Sequence, residues 1–317
     1  MEKFEKMKML FMGATETGYK CCEGLLKQGQ DISGIVSIAK KFSISYAKDR
    51  GGVTNVLHRD FAGLAREYNV PYMEISNGMK EAGDFIDSVK PDFALAIGWY
   101  YMIPKSMRDK IPKGVAGVHA SLLPRYRGGA PLVWAIINGE TETGVSLFYF
   151  EDGVDTGDLL DQRKVQIFRE DTIGTLYERV NDIAVDMVLE TIPKLARGEI
   201  TARPQDHTKM TLFSQRSPED GIISWEKTPD QIYNWVRAQT RPYPGAFTHH
   251  GDTQIKIWAG RPYEGTSMPL STKPGTIFAF REGNLYVRCR EGGFVVTDFE
   301  GDISLDDLVG SSFNGGV

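Results

Sequence analysis

The sequence has few cysteines and histidines, no long apolar run and no excess of positive charge. Its three cysteines, two of them adjacent at Cys21 and Cys22, predict a reducing compartment and no disulfide framework. The five histidines form no cluster with zinc-ligand spacing. No apolar run approaches the length of a membrane span, and acidic residues stand where a signal peptide has its basic flank. The sequence therefore predicts a cytoplasmic protein without a membrane partner.

The charge balance argues against nucleic acid as a partner. The 42 acidic residues outnumber the 37 basic ones, and the net charge of −5 gives no overall field that attracts a polyanion. The net charge does not rule out a local basic patch on the surface. The length of 317 residues and a hydrophobic fraction of 41% fit a globular protein with two domains.

Apolar and amphipathic segments alternate over the first two hundred residues. Buried strands are predicted at residues 8–13, 31–38, 92–98 and 115–118, and a long helix at 172–197. This alternation predicts an α/β fold, a Rossmann-like doubly wound and mostly parallel sheet. Gly13 and Gly18 follow the first strand, but without a G-x-G-x-x-G motif they are interpreted as turn glycines and not as a dinucleotide site.

The composition changes after Gly198. A polar stretch is followed by a helix predicted at 229–239 and by short alternating runs up to residue 298, which predict a small β-barrel of the OB type. The pair His249–His250 has no third ligand at a suitable spacing, so no metal is expected. We predict a catalytic domain over 1–200, a linker over 201–220 and a β-rich domain over 221–317.

The segment from Gly114 to Gly157 contains the candidate catalytic pair. His119 follows a short apolar strand, and Asp155 lies in a later loop flanked by glycines. A strand at 144–150 is expected to bring the Asp155 loop to the same edge of the sheet as His119. Such a pair fits a base with an orienting carboxylate, and equally a surface histidine and an aspartate that bonds its own turn.

Two sequence blocks carry a family resemblance. Ser-Leu-Leu-Pro-Arg-Tyr-Arg-Gly-Gly-Ala-Pro at 121–131 and Val-Trp-Ala-Ile-Ile-Asn-Gly-Glu-Thr-Glu-Thr-Gly at 133–144 resemble the core of formyltransferases that use 10-formyltetrahydrofolate. Ile-Ser-Trp-Glu-Lys-Thr-Pro at 223–229 and Arg-Pro-Tyr-Pro-Gly-Ala-Phe at 241–247 resemble the start of that family's C-terminal domain. The resemblance implies that an amine attacks the formyl carbon of this cosubstrate, an oxyanion forms and tetrahydrofolate leaves, without a metal.

The resemblance also assigns roles to residues. His119 matches the catalytic histidine that assists proton transfer, and Asp155 matches the aspartate that orients it. The folate pocket is expected to be lined by three segments: Tyr101, Met102 and Ile103; Ser121, Leu122, Leu123 and Pro124; and Glu151, Asp152, Gly153 and Val154.

One catalytic position departs from the family pattern. The family has Asn-x-His, and Gly117 stands at the asparagine position. Losing one such amide donor to the oxyanion typically costs on the order of a hundred- to a thousandfold in rate. The sequence leaves three explanations open: another donor or a water replaces the amide, the enzyme is slow, or the position has been engineered.

The acceptor is expected to be the amino group of a nucleotide-linked, dideoxy amino sugar in glycan biosynthesis. The tRNA enzymes of the family carry a basic Arg-Pro-Ala-Gly-Arg-Gly-like loop, which residues 39–55 lack. The opening Met-Gly-Ala-Thr-Glu-Thr-Gly-Tyr-Lys-Cys resembles the sugar N-formyltransferases. The alternatives are a methionyl-tRNA formyltransferase, a folate-binding homologue that has lost catalysis, and a formyltetrahydrofolate hydrolase. By resemblance, a homodimer through the C-terminal β domain is expected.

Overall fold

The structure is a computed structural model that describes residues 6–43, 53–55, 57–265, 273–303 and 308–314. Of residues 39–55, the segment that lacks the basic loop of the tRNA enzymes, residues 44–52 lie outside the described ranges. The chain divides into two compact units. The first comprises Met1–Arg127, Gly144–Lys164 and Val180–Thr211, and the second comprises Gly128–Thr143, Val165–Arg179 and Leu212–Val317.

Helices and strands are numbered here in chain order. The strands are β1 Met9–Gly13, β2 Ile32–Ile38, β3 Lys41–Phe42, β4 Val53–Thr54, β5 Tyr72–Ile75, β6 Phe93–Ile97, β7 Val115–His119, β8 Arg127–Gly128, β9 Glu142–Tyr149, β10 Leu159–Gln166, β11 Leu212–Phe213, β12 Ala246–His250, β13 Thr253–Pro262, β14 Ile277–Arg281, β15 Asn284–Arg288 and β16 Gly293–Glu300. The α-helices are α1 Glu16–Lys27, α2 Ala62–Glu67, α3 Gly83–Val89, α4 Lys105–Arg108, α5 Pro131–Ile137, α6 Ile173–Ala196 and α7 Pro229–Arg237. Short 3₁₀ helices cover Met79–Ala82, His207–Lys209 and Pro218–Gly221.

The main sheet has seven strands in the order β10-β9-β7-β6-β1-β2-β5. β1 pairs in parallel with β2 and β6, and β6 pairs in parallel with β7. All five residues of β1 are buried, as expected for a parallel strand that is covered on both faces. The predicted α/β class with a mostly parallel sheet is confirmed.

The direction of β9 corrects one expectation about the site. β9 runs antiparallel to β7 and pairs Tyr149 with Ala116 and Ser146 with His119. The carboxyl end of β9 therefore lies beside the amino end of β7. The strand predicted at 144–150 therefore runs away from the edge where His119 lies, and the Asp155 loop reaches His119 only because the chain turns back after β9.

The first helix packs tightly against the sheet at its N-terminus. The Thr15 side chain accepts a hydrogen bond from the Gly18 amide and caps α1. A Cβ on Gly18 would lie 2.6 Å from the carbonyl oxygen of Ile97. Gly18 lies inside α1 and not in a turn, so its interpretation as a turn glycine was wrong, and its missing side chain is what allows the close approach of α1 to β6.

The second unit contains a five-stranded antiparallel sheet in the order β12-β13-β16-β15-β14. Its core includes Trp225, Ile257 and Phe294 and packs against α7. The predicted small antiparallel β domain is confirmed. Neither β10 nor α4 was predicted from the sequence.

The histidine pair His249–His250 closes β12. The His250 Nε2 atom lies 2.9 Å from the Ser311 hydroxyl. Within the ranges given above, no three His, Cys, Asp or Glu side chains come together as a metal site. Over the same ranges, no helix is both long and apolar enough to cross a membrane.

A buried carboxylate organises the start of α6 in the second unit. Asp171 is 3% exposed and accepts hydrogen bonds from Arg179 at 2.6 and 3.0 Å, from the Phe168 amide at 2.7 Å and from the Thr175 hydroxyl at 2.9 Å. Arg237 of α7 donates to the Asp171 carbonyl at 2.7 Å. Burial acts to raise the pKa of Asp171, but the hydrogen bonds from Arg179, Phe168 and Thr175 outweigh it and lower the pKa below 3.8.

Asp171→Asn is expected to lower the free energy of unfolding by about 2 kcal/mol near neutral pH, because the variant loses charged hydrogen bonds inside the protein. A lowered folded-state pKa means that this contribution is full above pH 3.8 and disappears as the pH falls through the folded-state value. Urea unfolding at neutral and acidic pH tests both points. Asp230→Asn is the control, since Asp230 is 66% exposed in its pair with Arg169 and contributes only about 0.5 kcal/mol. Equal losses for the two variants would contradict the account.

Candidate active site

The two residues of the predicted catalytic pair lie next to each other in the first unit. His119 is the last residue of β7, and its Nδ1 atom lies 3.6 Å from Asp155 Oδ2. On the other side of the ring, Nε2 lies 2.7 Å from the carbonyl oxygen of Tyr126. The side chains are 11% and 23% exposed, respectively, so both are largely buried yet still reach solvent.

The surroundings of the His119 ring define where its proton lies. A carbonyl oxygen only accepts hydrogen bonds, so Nε2 carries a proton and donates it to Tyr126. In the neutral ring, the lone pair is then at Nδ1 and faces the carboxylate of Asp155. Nδ1 is therefore the atom that can accept a proton, and the resulting cation would lie between two oxygen acceptors. The arrangement can act as a base.

The carbonyl that accepts from His119 is itself held by the backbone around it. Tyr126 has a left-handed φ of 58°, an uncommon conformation for a non-glycine residue. Its amide donates to the Thr211 hydroxyl at 2.8 Å, and the Arg127 amide donates to the Thr211 carbonyl at 2.9 Å. Thr211 thereby fixes the peptide that orients His119. The sequence analysis missed Thr211, which lies in a polar segment without a catalytic motif.

The loop that carries Asp155 connects β9 to β10 and is fixed at several points. Asp155 has a left-handed φ of 50°. The Gln205 side-chain amide donates to the carbonyls of Asp155 at 2.9 Å and Gly157 at 2.7 Å. Arg108 of α4 donates to the Phe150 carbonyl at 2.9 Å and forms an ion pair with Asp152. Neither Gln205 nor Arg108 carries a local sequence signal for this role.

An aromatic ring fills the space beside Gly117. A Cβ on Gly117 would overlap the ring of Phe150 and would lie 2.8 Å from the Ala96 carbonyl oxygen. Phe150 also packs against Phe148 with ring centroids 5.3 Å apart, and Phe148 meets the His119 ring edge to face at 6.4 Å. The position where the family has asparagine is therefore faced by an apolar wall and has no room for a side chain.

Five of the eleven residues predicted to line the folate pocket are exposed to solvent in the first unit. The Met102 side chain is 82% exposed and Val154 is 52% exposed, which is unusual for apolar residues of this size. Glu151, Asp152 and Gly153 are also exposed.

The remaining six residues of that prediction are partly or fully buried. Ser121, Leu123 and Ile103 are buried, while Tyr101, Leu122 and Pro124 are half-buried. The Ser121 hydroxyl donates to the Arg125 carbonyl at 2.7 Å, and the Tyr101 hydroxyl donates to the Ser76 carbonyl at 2.8 Å. Burial raises the pKa of Tyr101 to about 12. Ser121 and Tyr101 therefore use their hydroxyl groups to fix the loops.

Three reactive or charged side chains of the first unit are buried. Arg127 is 3% exposed, and burial lowers the pKa of its guanidinium. Its donors face Gln205 and His207, so it holds the structure together and does not offer a phosphate contact. Burial raises the pKa of the Cys21 and Cys22 thiols far above their usual range, so neither is a nucleophile.

Comparison with known proteins identifies the family. The sequence model of a protein family described as formyl transferase matches residues 7–192. A second family model, described as formyl transferase, C-terminal domain, matches residues 216–301. This chain belongs to the formyl transferase family. The formyltransferase is thus an enzyme that transfers a one-carbon group.

Curated relatives of this formyltransferase include two of equal identity. The methionyl-tRNA formyltransferase of Geotalea uraniireducens (strain Rf4) is 35% identical over 296 residues, which cover 93% of this chain and 90% of the relative. That of Enterococcus faecalis (strain ATCC 700802 / V583) is 35% identical over 291 residues, 92% of this chain and 90% of the relative.

Among solved structures, the sugar 3N-formyl transferase WlaRD has a TM-score of 0.66 at 17% identity, over 95% of this chain and 100% of that one. An N-formyltransferase from Helicobacter canadensis has a TM-score of 0.66 at 18% identity, over 93% of this chain and 100% of that one. These two structures share the fold of this formyltransferase.

Gly117→Asn alone is expected to lower the free energy of unfolding of this formyltransferase by about 1–3 kcal/mol, because a side chain there overpacks the Phe150 ring. Adding Phe150→Ala relieves part of the overlap, so the double variant should lose at least about 0.5 kcal/mol less than the sum of the single variants. Urea unfolding of the four proteins measures this coupling.

Gly63→Ala in α2 is the matched control for the substitution at Gly117. Among the described residues, and apart from the adjoining backbone of α2 and the two neighbouring residues, no heavy atom lies within 4 Å of a Cβ at that position. Alanine there should be neutral or stabilise the helix by up to about 1 kcal/mol. Full additivity of the Gly117 and Phe150 substitutions would show that the ring does not fill this space.

Proposed function

We propose that this formyltransferase moves the formyl group of 10-formyltetrahydrofolate to the amino group of a nucleotide-linked amino sugar. The observation that carries the proposal is the His119 ring with a carbonyl at Nε2 and a carboxylate at Nδ1. An amine that becomes an amide must lose a proton, and Nδ1 is the atom of this pair that can accept it. Asp155 stabilises the imidazolium that results.

The proposed reaction balances through this one proton. The amine nitrogen attacks the formyl carbon, which forms a carbon–nitrogen bond and a tetrahedral oxyanion. His119 accepts the amine proton at Nδ1 and returns it to the folate nitrogen as the bond between that nitrogen and the formyl carbon breaks. The products are the formamide and tetrahydrofolate. Gly117 donates nothing to the oxyanion through a side chain, so proton transfer is the main contribution of the described residues.

The cosubstrate assignment is supported by the surface of the same unit. Met102 and Val154 are exposed apolar side chains on two segments that resemble folate-binding segments of the family. Val154 directly precedes Asp155 in the sequence, and exposed apolar side chains of this kind can contribute to a binding surface for a ring system. Ser121 and Leu123 act from inside the loop, where they preserve its shape.

Charge favours a small acceptor over tRNA. Glu151 and Asp152 are exposed in the loop of Asp155, and Arg127 is turned into the protein. A tRNA backbone needs a cationic surface, whereas a nucleotide sugar brings only two phosphate groups. Methionyl-tRNA is the second candidate, because relatives with that name are 35% identical over nine-tenths of the chain.

A panel of acceptors with 10-formyltetrahydrofolate tests the proposed function. Nucleotide-linked amino sugars and methionyl-tRNA are compared under single-turnover conditions, and the formylated product is identified by mass spectrometry. We expect turnover of at least one amino sugar and none of the tRNA. Formylation of the tRNA alone would replace the proposal with the second candidate, and folate binding without turnover of any amine would indicate a homologue that has lost catalysis.

His119→Gln and Asp155→Asn are each expected to lower kcat by on the order of 10²-fold or more, because each removes part of the proton-transfer pair. The affinity for folate should change little, since neither side chain lies on the exposed apolar surface. Steady-state kinetics and fluorescence titration with folate separate these effects. Asp109→Asn is the control, because Asp109 is an exposed partner of Lys105 in the same unit. A fully active Asp155→Asn enzyme would rule out the assigned role.

A further inference from the structure

A buried hydrogen-bond chain connects a charged side chain to the loop of Asp155. Gln205 is 5% exposed and Arg127 is 3% exposed. Arg127 donates to Gln205 Oε1 through Nη2 at 2.5 Å and Nε at 3.2 Å, and through Nη2 to His207 Nδ1 at 3.0 Å. Gln205 Nε2 in turn donates to the carbonyls of Asp155 and Gly157. All of these residues belong to the first unit.

Arg127 determines which way the Gln205 amide faces. A guanidinium only donates hydrogen bonds, so the atom of Gln205 that faces it must be the oxygen. The side-chain nitrogen then faces the opposite direction, where two backbone carbonyls accept its two protons. Turning the amide over would place donors against Arg127 and an oxygen against two carbonyls. The hydrogen bonds therefore have one favourable direction: the Arg127 guanidinium donates to the Gln205 amide, and the Gln205 amide donates to the Asp155 loop.

The loop of Asp155 needs an external partner to keep its shape. Asp155 has a φ of 50°, which costs an L-residue conformational energy unless the surroundings fix it. The neighbouring backbone supplies the position of Gln205, since Leu159 and Arg203 exchange two hydrogen bonds at 2.8 and 2.9 Å. This short bridge holds residues 203–205 beside residues 157–159. The side chain of Gln205 then donates to the carbonyls of Asp155 and Gly157, the residues on either side of Thr156.

We propose that Gln205 is a positioning residue for the His119–Asp155 pair, with Arg127 fixing the direction of its amide. This rests on the proposed function of that pair. The separation of 3.6 Å between His119 Nδ1 and Asp155 Oδ2 depends on the backbone of Asp155, and Gln205 bonds that backbone directly. Without Gln205 the loop relaxes toward a more common backbone conformation, and the carboxylate moves relative to the ring.

The charge of Arg127 acts in the same direction. Burial lowers the pKa of Arg127, and the nearby negative charge of Asp155 opposes that effect. The guanidinium and the carboxylate therefore attract each other, although Gln205 lies between Arg127 and the loop backbone. This attraction acts together with the hydrogen bonds of Gln205 to keep the Asp155 loop in place.

A double-mutant cycle read by NMR tests the proposal without using catalysis. The pH midpoint at which the His119 ring protonates is followed through its ring ¹⁵N shifts in wild type, Asp155→Asn, Gln205→Met and the double variant. In the wild-type background, Asp155→Asn removes the carboxylate and should lower the midpoint. In the Gln205→Met background, the same substitution should lower it much less, because the carboxylate has already moved. Equal decreases in the two backgrounds would overturn the proposal.

Gln239→Met is the matched control. Gln239 is 7% exposed, accepts from Arg216 at 2.8 Å and donates to the Trp235 carbonyl at 2.9 Å, so it has the same kind of partners but belongs to the second unit. Asp155→Asn should lower the His119 midpoint as much in this background as in wild type. A weakened effect here would mean that any lost buried amide disturbs the pair.

A second variant guards against unfolding caused by an unpaired Arg127. Gln205→Glu keeps an acceptor for Arg127 and replaces only the donor that faces the two carbonyls with an oxygen. The pH midpoint of His119 is measured in Gln205→Glu and in Gln205→Glu combined with Asp155→Asn. Both proteins carry the added charge at residue 205, so the difference between them reports only the effect of Asp155→Asn. We expect the weakened effect of Asp155→Asn here too, and an effect as large as in wild type would contradict the role of the donor.

Kinetics separate this proposal from the proposed function. With an accepted amine, Gln205→Met should lower kcat by on the order of 10²-fold while KM for the amine changes little, because misplacement of a catalytic group by about 1 Å has effects of that size. If no amine is formylated by the wild type, the proposed function fails, whereas the NMR cycle still decides the role of Gln205. If Gln205→Met weakens the effect of Asp155→Asn on the His119 midpoint but leaves kcat unchanged, the link between Gln205 and catalysis is wrong.

Discussion

His119 is held between two oxygen atoms, the carbonyl of Tyr126 at Nε2 and the carboxylate of Asp155 at Nδ1, and much of the first unit serves to keep both in place. Tyr126 and Asp155 both have a left-handed backbone, and each is fixed by a residue far along the chain. Thr211 bonds the peptide of Tyr126, and Gln205 bonds the loop of Asp155. The segment after α6 therefore supplies the support on both sides of the imidazole.

The antiparallel placement of β9 next to β7 explains the chemistry of the wall beside this ring. In the antiparallel register Gly117 pairs with Phe148, and Phe150, two positions further along the chain, projects from the same face, so its ring comes to lie over Gly117. The same reversal makes the loop after β9 cross back toward His119. A side chain at residue 117 and an aromatic ring at residue 150 exclude each other, so the loss of the amide and the presence of the ring are one structural feature.

The sequence predicted the elements of this fold far better than their pairing. Strand and helix periodicity is local, and β1, β6, β7 and α6 were located within about two residues, the usual uncertainty of element ends. The direction of β9 depends on contacts between distant residues and leaves no mark in a short window. Gln205 lies in a stretch whose polar composition indicates a linker, so its burial was not foreseen. His119 and Asp155 were predicted as a catalytic pair because a family resemblance accompanied them.

The replacement of a polar donor by a ring shifts the balance of catalytic effects at the site. One oxyanion donor is typically worth about 3–4 kcal/mol of transition-state stabilisation, and no side chain at residue 117 supplies it. An apolar wall lowers the local dielectric, which strengthens the attraction between a protonated His119 and Asp155. Under the proposed mechanism, the site therefore favours removal of the amine proton over polarisation of the formyl oxygen. In the proposed reaction, an acceptor whose amine loses its proton readily therefore gains most from such a site.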